Sequence, residues 1–250
     1  MQEFYRRSGG QNGHFVILPT ASALIDTGDT QATALEELGA SQKPTVLPIR
    51  QRLQADNPEY LSAVQNATGI FLCGGDQLRL TTVLGGTQLH SALLKAAQNG
   101  CTIAGTSAGA AAFSHVMISR GHNGQAARNG IAQFSSGLGF ENRIIFDQHF
   151  NQRNRMGRLI YAITTNPSLL GVGIDENTAA LIENNIVEIY GQNAVTVVDG
   201  HRLSNSNIAD LNHRDYLAVS GMTLHVLTRG CRYLIDQRTA EIPNFPSGGE

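Results

Sequence analysis

Short apolar runs separated by stretches with helical character constrain the fold of this chain more than any other feature. HFVILPT (14–20) closes on a proline and reads as a buried strand followed by a loop. TVLPI (45–49), GIFLC (69–73) and CTIA (101–104) are three further candidate strands. Between them lie segments that suit helices: within Thr30 to Leu38, from the acid-rich opening at Pro58 to Ala67, then about Gln77 to Leu84 and Gln88 to Gln98. A run of consecutive apolar residues has no polar face to turn to water, so each strand must be covered on both sides. Strands of that kind alternating with helices predict a parallel sheet with helices on both faces.

The fourth run leads into GTSAGA (105–110), where glycines at 105 and 109 flank a serine with the G-x-S-x-G spacing of a nucleophile elbow. A side chain at either glycine would crowd a turn that has to present Ser107 outward. The alanine-rich stretch beyond it predicts a helix over Ala108 to Ile118, with Phe113, Val116 and Met117 on its apolar face. The start of such a helix offers unpaired N–H groups to an oxyanion. On that helix His115 would lie two turns from Ser107, about 12 Å along the axis, too far to assist it.

After this unit the style changes. Gly121 to Gly139 is rich in glycine and serine and reads as a long loop. RIIF (143–146) predicts another strand and Asn151 to Thr164 a helix. AALIE, IVEIY, AVTVV, LHVLT and RYLID then predict a C-terminal antiparallel extension of hairpins. With no internal repeat, linker or charge block, residues 1–250 are expected to form a single catalytic domain.

Charge and cysteine usage exclude several classes. The 18 Lys and Arg against 20 Asp and Glu give no electrostatic footprint for nucleic acid or an anionic membrane. No apolar run approaches the roughly 20 residues of a membrane span, and MQEFYRRSGG lacks the apolar core of a signal peptide. Cys73, Cys101 and Cys231 form no C-x-x-C and are too scattered for a disulfide framework, so a reducing, cytoplasmic setting is expected. There is no H-E-x-x-H, no His/Cys cluster and no Walker-type loop; GVGIDE (171–176) begins like a dinucleotide fingerprint but lacks its last glycine. Catalysis is expected to need neither metal nor cofactor.

In a doubly wound sheet ligands bind at the carboxyl ends of strands. Three segments follow strands here. Gly74-Gly75-Asp76-Gln77 comes after FLC, and an oxyanion hole from the N–H groups of Gly75 and Ala108 would serve Ser107. Asp147-Gln148-His149-Phe150 comes after RIIF, which makes His149 the candidate general base among eight histidines. Gly173-Ile174-Asp175-Glu176 follows the next apolar run, and either Asp175 or Glu176 stands where a carboxylate could orient the imidazole. Beside His149, Arg153, Arg155 and Arg158 crowd NQRNRMGRL; Arg155 and Arg158, three apart on one helix face, are placed to bind carboxylates together.

The segments ILPTASA, FLCGGDQ, GTSAGAAA, DQHFNQRNRMGRL and GIDENTA occur in the order in which similar segments occur in the cyanophycinases, and the chain resembles that family. These are serine-type peptidases of family S51, whose other branch is the α-aspartyl dipeptidase E group; DQHF with three arginines resembles the cyanophycinase branch. The resemblance implies an α/β fold: a doubly wound, mostly parallel sheet, flavodoxin-like and similar to class I glutamine amidotransferases, with the antiparallel extension at its end. It implies Ser107 as nucleophile, His149 as base and Glu176 as the orienting acid. Gln77, Asp147, Gln148, Arg153, Arg155 and Arg158 are implied to line the substrate groove.

The implied reaction is exopeptidase hydrolysis of cyanophycin, a poly-aspartate carrying arginine on each β-carboxyl, to β-aspartyl-arginine dipeptides through an acyl-enzyme. Guanidinium groups on the enzyme suit the carboxylates of each arginylated unit, and Asp147 is a candidate for the substrate guanidinium. A homodimer is implied as well. The family begins with a further strand upstream of the segment matching FYRRSGGQNGHFVILPTAS, and Met1 falls within what should be the first helix, so that strand is expected to be lacking. Rival readings are a dipeptidase or amidase on small aspartyl peptides, a glutamine-hydrolysing amidotransferase, for which a cysteine is expected at position 107, and a non-catalytic binding homologue.

Overall fold

The computed structural model describes residues 1–244; residues 245–250 of the expected domain lie outside them. The described chain divides into two compact units. The first comprises 1–119 with 135–142, the second 120–134 with 143 onward.

The first unit contains α1 (Gln2–Arg7), β1 (Phe15–Leu18), α2 (Thr27–Glu37), β2 (Thr45–Val46), α3 (Pro58–Gln65), β3 (Gly69–Leu72), α4 (Gln77–Leu84), α5 (Gln88–Gln98), β4 (Thr102–Gly105) and α6 (Ala108–Ala111). All four strands are parallel, in the order β2-β1-β3-β4. The apolar runs explain the register: Ile17, Leu18, Ile70 and Leu72 are 0% exposed, so strands β1 and β3 are buried on both faces as the sequence requires. One face packs on Leu80, Leu84, Leu89 and Leu93 of α4 and α5. The other packs on Phe4 of α1 and Leu35 of α2, where Phe4 meets Phe71 edge-on at 5.6 Å.

Helix starts follow local chemistry. Asn57, Asp76 and Thr87 accept N–H groups of Glu59, Arg79 and His90, capping α3, α4 and α5. Pro58 takes the first turn of α3, where its missing N–H costs nothing.

β5 (Val116–Gly121) and β6 (Ala132–Ser136) pair with each other in a two-stranded sheet. Both overturn expectations. The helix predicted over Ala108 to Ile118 stops at Ala111, and the loop predicted from Gly121 to Gly139 contains β6. The cause is long-range hydrogen bonding: Leu138 N–H donates to Ala112 O at 2.7 Å, His115 N–H to Glu141 O at 3.1 Å and Glu141 N–H to Phe113 O at 3.0 Å. These bonds take up groups that a longer helix would have paired along its own axis.

The second unit continues with β7 (Ile144–Gln148), α7 (Met156–Thr165), β8 (Leu170–Ile174), β9 (Thr178–Glu183), β10 (Ile186–Gly191), β11 (Val195–Asp199), β12 (Asn205–Ser206), β13 (Val219–Ser220), β14 (Thr223–Leu227), β15 (Arg232–Leu234) and β16 (Thr239–Glu241). β7 and β8 are parallel, while β11 and β14 extend them antiparallel in the order β14-β11-β8-β7. A second sheet, β16-β15-β10-β9, is antiparallel throughout. The mixed α/β architecture with a parallel sheet and a C-terminal antiparallel extension is thus present. The helix expected from Asn151 begins later, at Met156, because residues 151–154 form turns.

Candidate active site

Ser107 stands between β4 and α6 with φ +50° and ψ −114°, a backbone conformation that residues other than glycine seldom adopt. Its neighbours explain the glycines. A Cβ on Gly109 would lie 2.2 Å from Leu72 O, and one on Gly105 would lie 2.6 Å from Gly109 C, so the turn closes on backbone with no room for a methyl group. Gly74, after β3, lies beside the nucleophile: a Cβ there would be 3.2 Å from Ser107 Cβ. Gly75 follows with φ +142°, and a Cβ on it would strike Ala21 O at 2.1 Å. Of the two candidate oxyanion donors, Ala108 is the first residue of α6, directly after Ser107, and Gly75 follows Gly74 in the chain.

Gln77 has its side-chain amide nitrogen committed, donating to Ile118 O at 3.2 Å and Ser119 O at 3.0 Å. Arg50 escaped the sequence reading. Its guanidinium donates to Ser22 O and, at 2.9 Å, to Leu24 O, tying down the loop after β1 that packs on Gly75. An arginine four residues past a short strand carries no pattern that marks it.

In the second unit, His149 and Glu176 are brought together: Nδ1 of His149 lies 2.7 Å from Oε1 of Glu176. A carboxylate can only accept, so Nδ1 is the donor in this contact. Asp175, the alternative that position alone left open, is engaged elsewhere. It is buried and accepts the N–H of Asn151 at 3.0 Å and its side-chain amide at 2.9 Å. Two residues that sequence reasoning missed hold Glu176. Its N–H donates to Gln152 Oε1 at 3.2 Å, and its carbonyl accepts Asn193 Nδ2 at 2.8 Å.

The glycines of GVGIDE have a packing role. A Cβ on Gly173 would lie 2.5 Å from the ring of Phe150, and one on Gly171 would lie 2.8 Å from Ile163 of α7. The motif that resembles the start of a dinucleotide fingerprint is the floor under the residue after His149 and under α7.

Asp147, Arg155 and Arg158 meet one another in a buried cluster, at 1%, 6% and 4% exposure. Arg158 grips Asp147 bidentately, Nε to Oδ2 at 2.6 Å and Nη2 to Oδ1, while Arg155 Nη1 donates to Oδ1 at 3.2 Å. Both oxygens of Asp147 are taken by arginines, so the suggestion that it would receive a substrate guanidinium does not hold. Burial pulls Arg155 down to about 10 despite the opposing field of Asp147, and its Nε is buried without a hydrogen-bond partner among the described residues. Arg153 is exposed and Gln148 is buried; the two arginines expected on one helix face are instead Arg155 at the cap of α7 and Arg158 in its first turn.

A serine held in a strained turn by glycines on either side is the device of a serine-type hydrolase, and that is the class of this chain. It belongs to peptidase family S51, whose profile matches residues 1–190. It is 38% identical over 244 residues to the cyanophycinase of Trichormus variabilis, spanning 96% of this chain and 81% of the relative. It is 38% identical over 238 residues to that of Geminocystis herdmanii, covering 93% and 86%. Among solved structures, a peptidase from an acI-B1 Actinobacterium has a similar fold, with a TM-score of 0.58 and 23% identity, covering 91% of this chain and 88% of that one. A putative peptidase E protein from Listeria monocytogenes is similar at a TM-score of 0.54 and 19% identity, covering 76% and 92%.

Proposed function

We propose that the protein is a cyanophycinase, hydrolysing cyanophycin to β-aspartyl-arginine. The likeness to cyanophycinases over 81% and 86% of their own lengths carries the substrate. The 2.7 Å contact between His149 and Glu176 supports the chemistry. Ser107 attacks the aspartyl carbonyl as His149 Nε2 takes its proton. The N–H groups of Gly75 and Ala108 hold the oxyanion, His149 returns the proton to the leaving amine, and water then releases the acyl-enzyme by the reverse sequence. Glu176 fixes the tautomer and stabilises the imidazolium. No cofactor enters the scheme.

Gln148, Arg153 and Arg155 are assigned to the substrate carboxylates. Gln77, its nitrogen committed, offers its carbonyl oxygen. Three free cysteines, with Cys73 pushed up to about 12 and Cys101 to about 11 by burial, suit a reducing cytoplasm. A homodimer is the proposed assembly.

The test is incubation of the protein and of Ser107→Ala with insoluble cyanophycin, following soluble products by mass spectrometry. Release of β-aspartyl-arginine by the parent alone is expected. A folded parent that releases nothing from the polymer but cleaves small aspartyl peptides would overturn the substrate, and equal release by Ser107→Ala would overturn the nucleophile.

A further inference from the structure

His149 has φ +48°, a left-handed backbone conformation uncommon for residues other than glycine. Such a conformation persists only where the surroundings over-determine it. Here the peptide groups on both sides of Gln148, the residue just before His149, are pinned. The Gln148 N–H donates to Asp147 Oδ1 at 2.9 Å, and the Gln148 carbonyl accepts Arg155 Nη1. On the far side, Arg153 N–H donates to His149 O at 3.1 Å and Arg155 N–H to Phe150 O at 3.0 Å.

Among the described residues, the hydrogen bonds of Arg158 go to Asp147 alone, one to each carboxylate oxygen. For charge balance it is superfluous, since Arg155 already neutralises Asp147 and a second buried guanidinium adds a desolvation cost. What it adds is geometry. A fork on both oxygens fixes the plane of the carboxylate, which a single bond from Arg155 would leave free to turn. With the plane fixed, Oδ1 stays on the Gln148 N–H and on Arg155, which in turn holds the Gln148 carbonyl.

We propose that Arg158 is a positioning residue: by clamping Asp147 it sets, through Gln148 and Arg155, the strained backbone on which His149 stands. The proposal rests on His149 being the base. It assigns Arg158 a place behind the base, with no contact to substrate.

The full chain, Arg158→Met, Arg158→Lys and His149→Ala are compared for kcat and KM on a soluble cyanophycin fragment, with the His149 imidazole followed by NMR. Arg158→Met leaves Asp147 and Arg155 as a neutral pair, so a folded protein is expected. Its kcat should fall on the order of a hundredfold, the loss typical of a catalytic group displaced by about 1 Å, with KM changed less than about twofold. The His149 resonance should shift, and Arg158→Lys, which keeps the charge and one hydrogen bond, should restore part of kcat. A raised KM with kcat retained would make Arg158 a substrate contact and overturn the proposal. So would parental kinetics, or a loss of kcat with the His149 resonance and its titration unmoved. If Arg158→Met proves unfolded by circular dichroism, Arg158→Lys decides on the same readings. Parental kcat in His149→Ala would show instead that the assignment of the base has failed.

Discussion

The two units hold their catalytic candidates by different means. Around Ser107 the first unit uses closeness of backbone: glycines at 105 and 109, small buried residues at 108, 111 and 112, and Leu72 O against the elbow. Around His149 the second unit uses buried charge. Among the described residues every buried aspartate and arginine lies in the second unit, namely Asp147, Arg155, Arg158, Asp175 and Asp199, whereas the first buries a single charged residue, Glu141. A nucleophile on a sharp turn needs space withheld, which glycine does with no polar group to satisfy. An imidazole has to be aimed and kept in one tautomer, and directional hydrogen bonds from ions do that at a desolvation cost.

This contrast can be broken by experiment. The largest effect is expected from Glu176→Gln, which leaves shape and packing almost unchanged; kcat should fall about a thousandfold or more as the imidazole loses its orienting charge. Because the Glu176 side chain is 50% exposed, thermal stability should barely move, and a large drop in Tm would contradict the separation of aim from packing. Gly109→Ala should act oppositely, forcing apart the 2.2 Å approach to Leu72 O and costing about 3 kcal/mol by denaturant unfolding.

Gly173→Ala should cost about 2 kcal/mol, somewhat less, because the obstacle is the ring of Phe150 and a side chain yields more readily than a carbonyl. Ser107→Gly should stabilise relative to Ser107→Ala by about 1 kcal/mol, since glycine relieves the φ of +50° that alanine would retain; equal unfolding midpoints would mean that the turn is not strained.

The smallest effect concerns Glu3, outside both regions. Hydrogen bonds from Arg6 and then Arg7, opposed by some burial, hold its carboxyl down at about 2. A depressed carboxylate contributes stability that is fully present above its ordinary value of 4.5 and is lost as pH falls through about 2. For so exposed a pair this amounts to about 0.5 kcal/mol, read as the difference between parent and Glu3→Gln across that window.

Much of the first unit was legible because its signals are local. FVIL and GIFL are too continuously apolar to lie anywhere but in a covered sheet, and Asn57, Asp76 and Thr87 cap their helices by contacts a few residues long. The helix drawn over Ala108 to Ile118 failed because residues 137–141, distant in sequence, compete for its backbone groups. For the same reason β6 hid inside a glycine-rich stretch, where composition spoke for a loop and pairing with β5 made a strand.

By itself, then, the sequence determined the alternation of strands and helices, the position of Ser107 at a glycine-flanked bend, and the candidate base at the end of RIIF, since each depends on residue type at short spacing. Residue type and spacing left open which acid meets the imidazole, the family resemblance implied Glu176, and tertiary structure decided that contact together with what the arginines do. Asp175 and Glu176 are adjacent and chemically alike, yet one is drawn into Asn151 and the other onto His149. Arg155 and Arg158 could equally have faced solvent, but the end of β7 places Asp147 within reach of both. Partner choice among like charges depends on distances of a few ångströms between segments far apart in the chain, and those distances exist only once the backbone has folded.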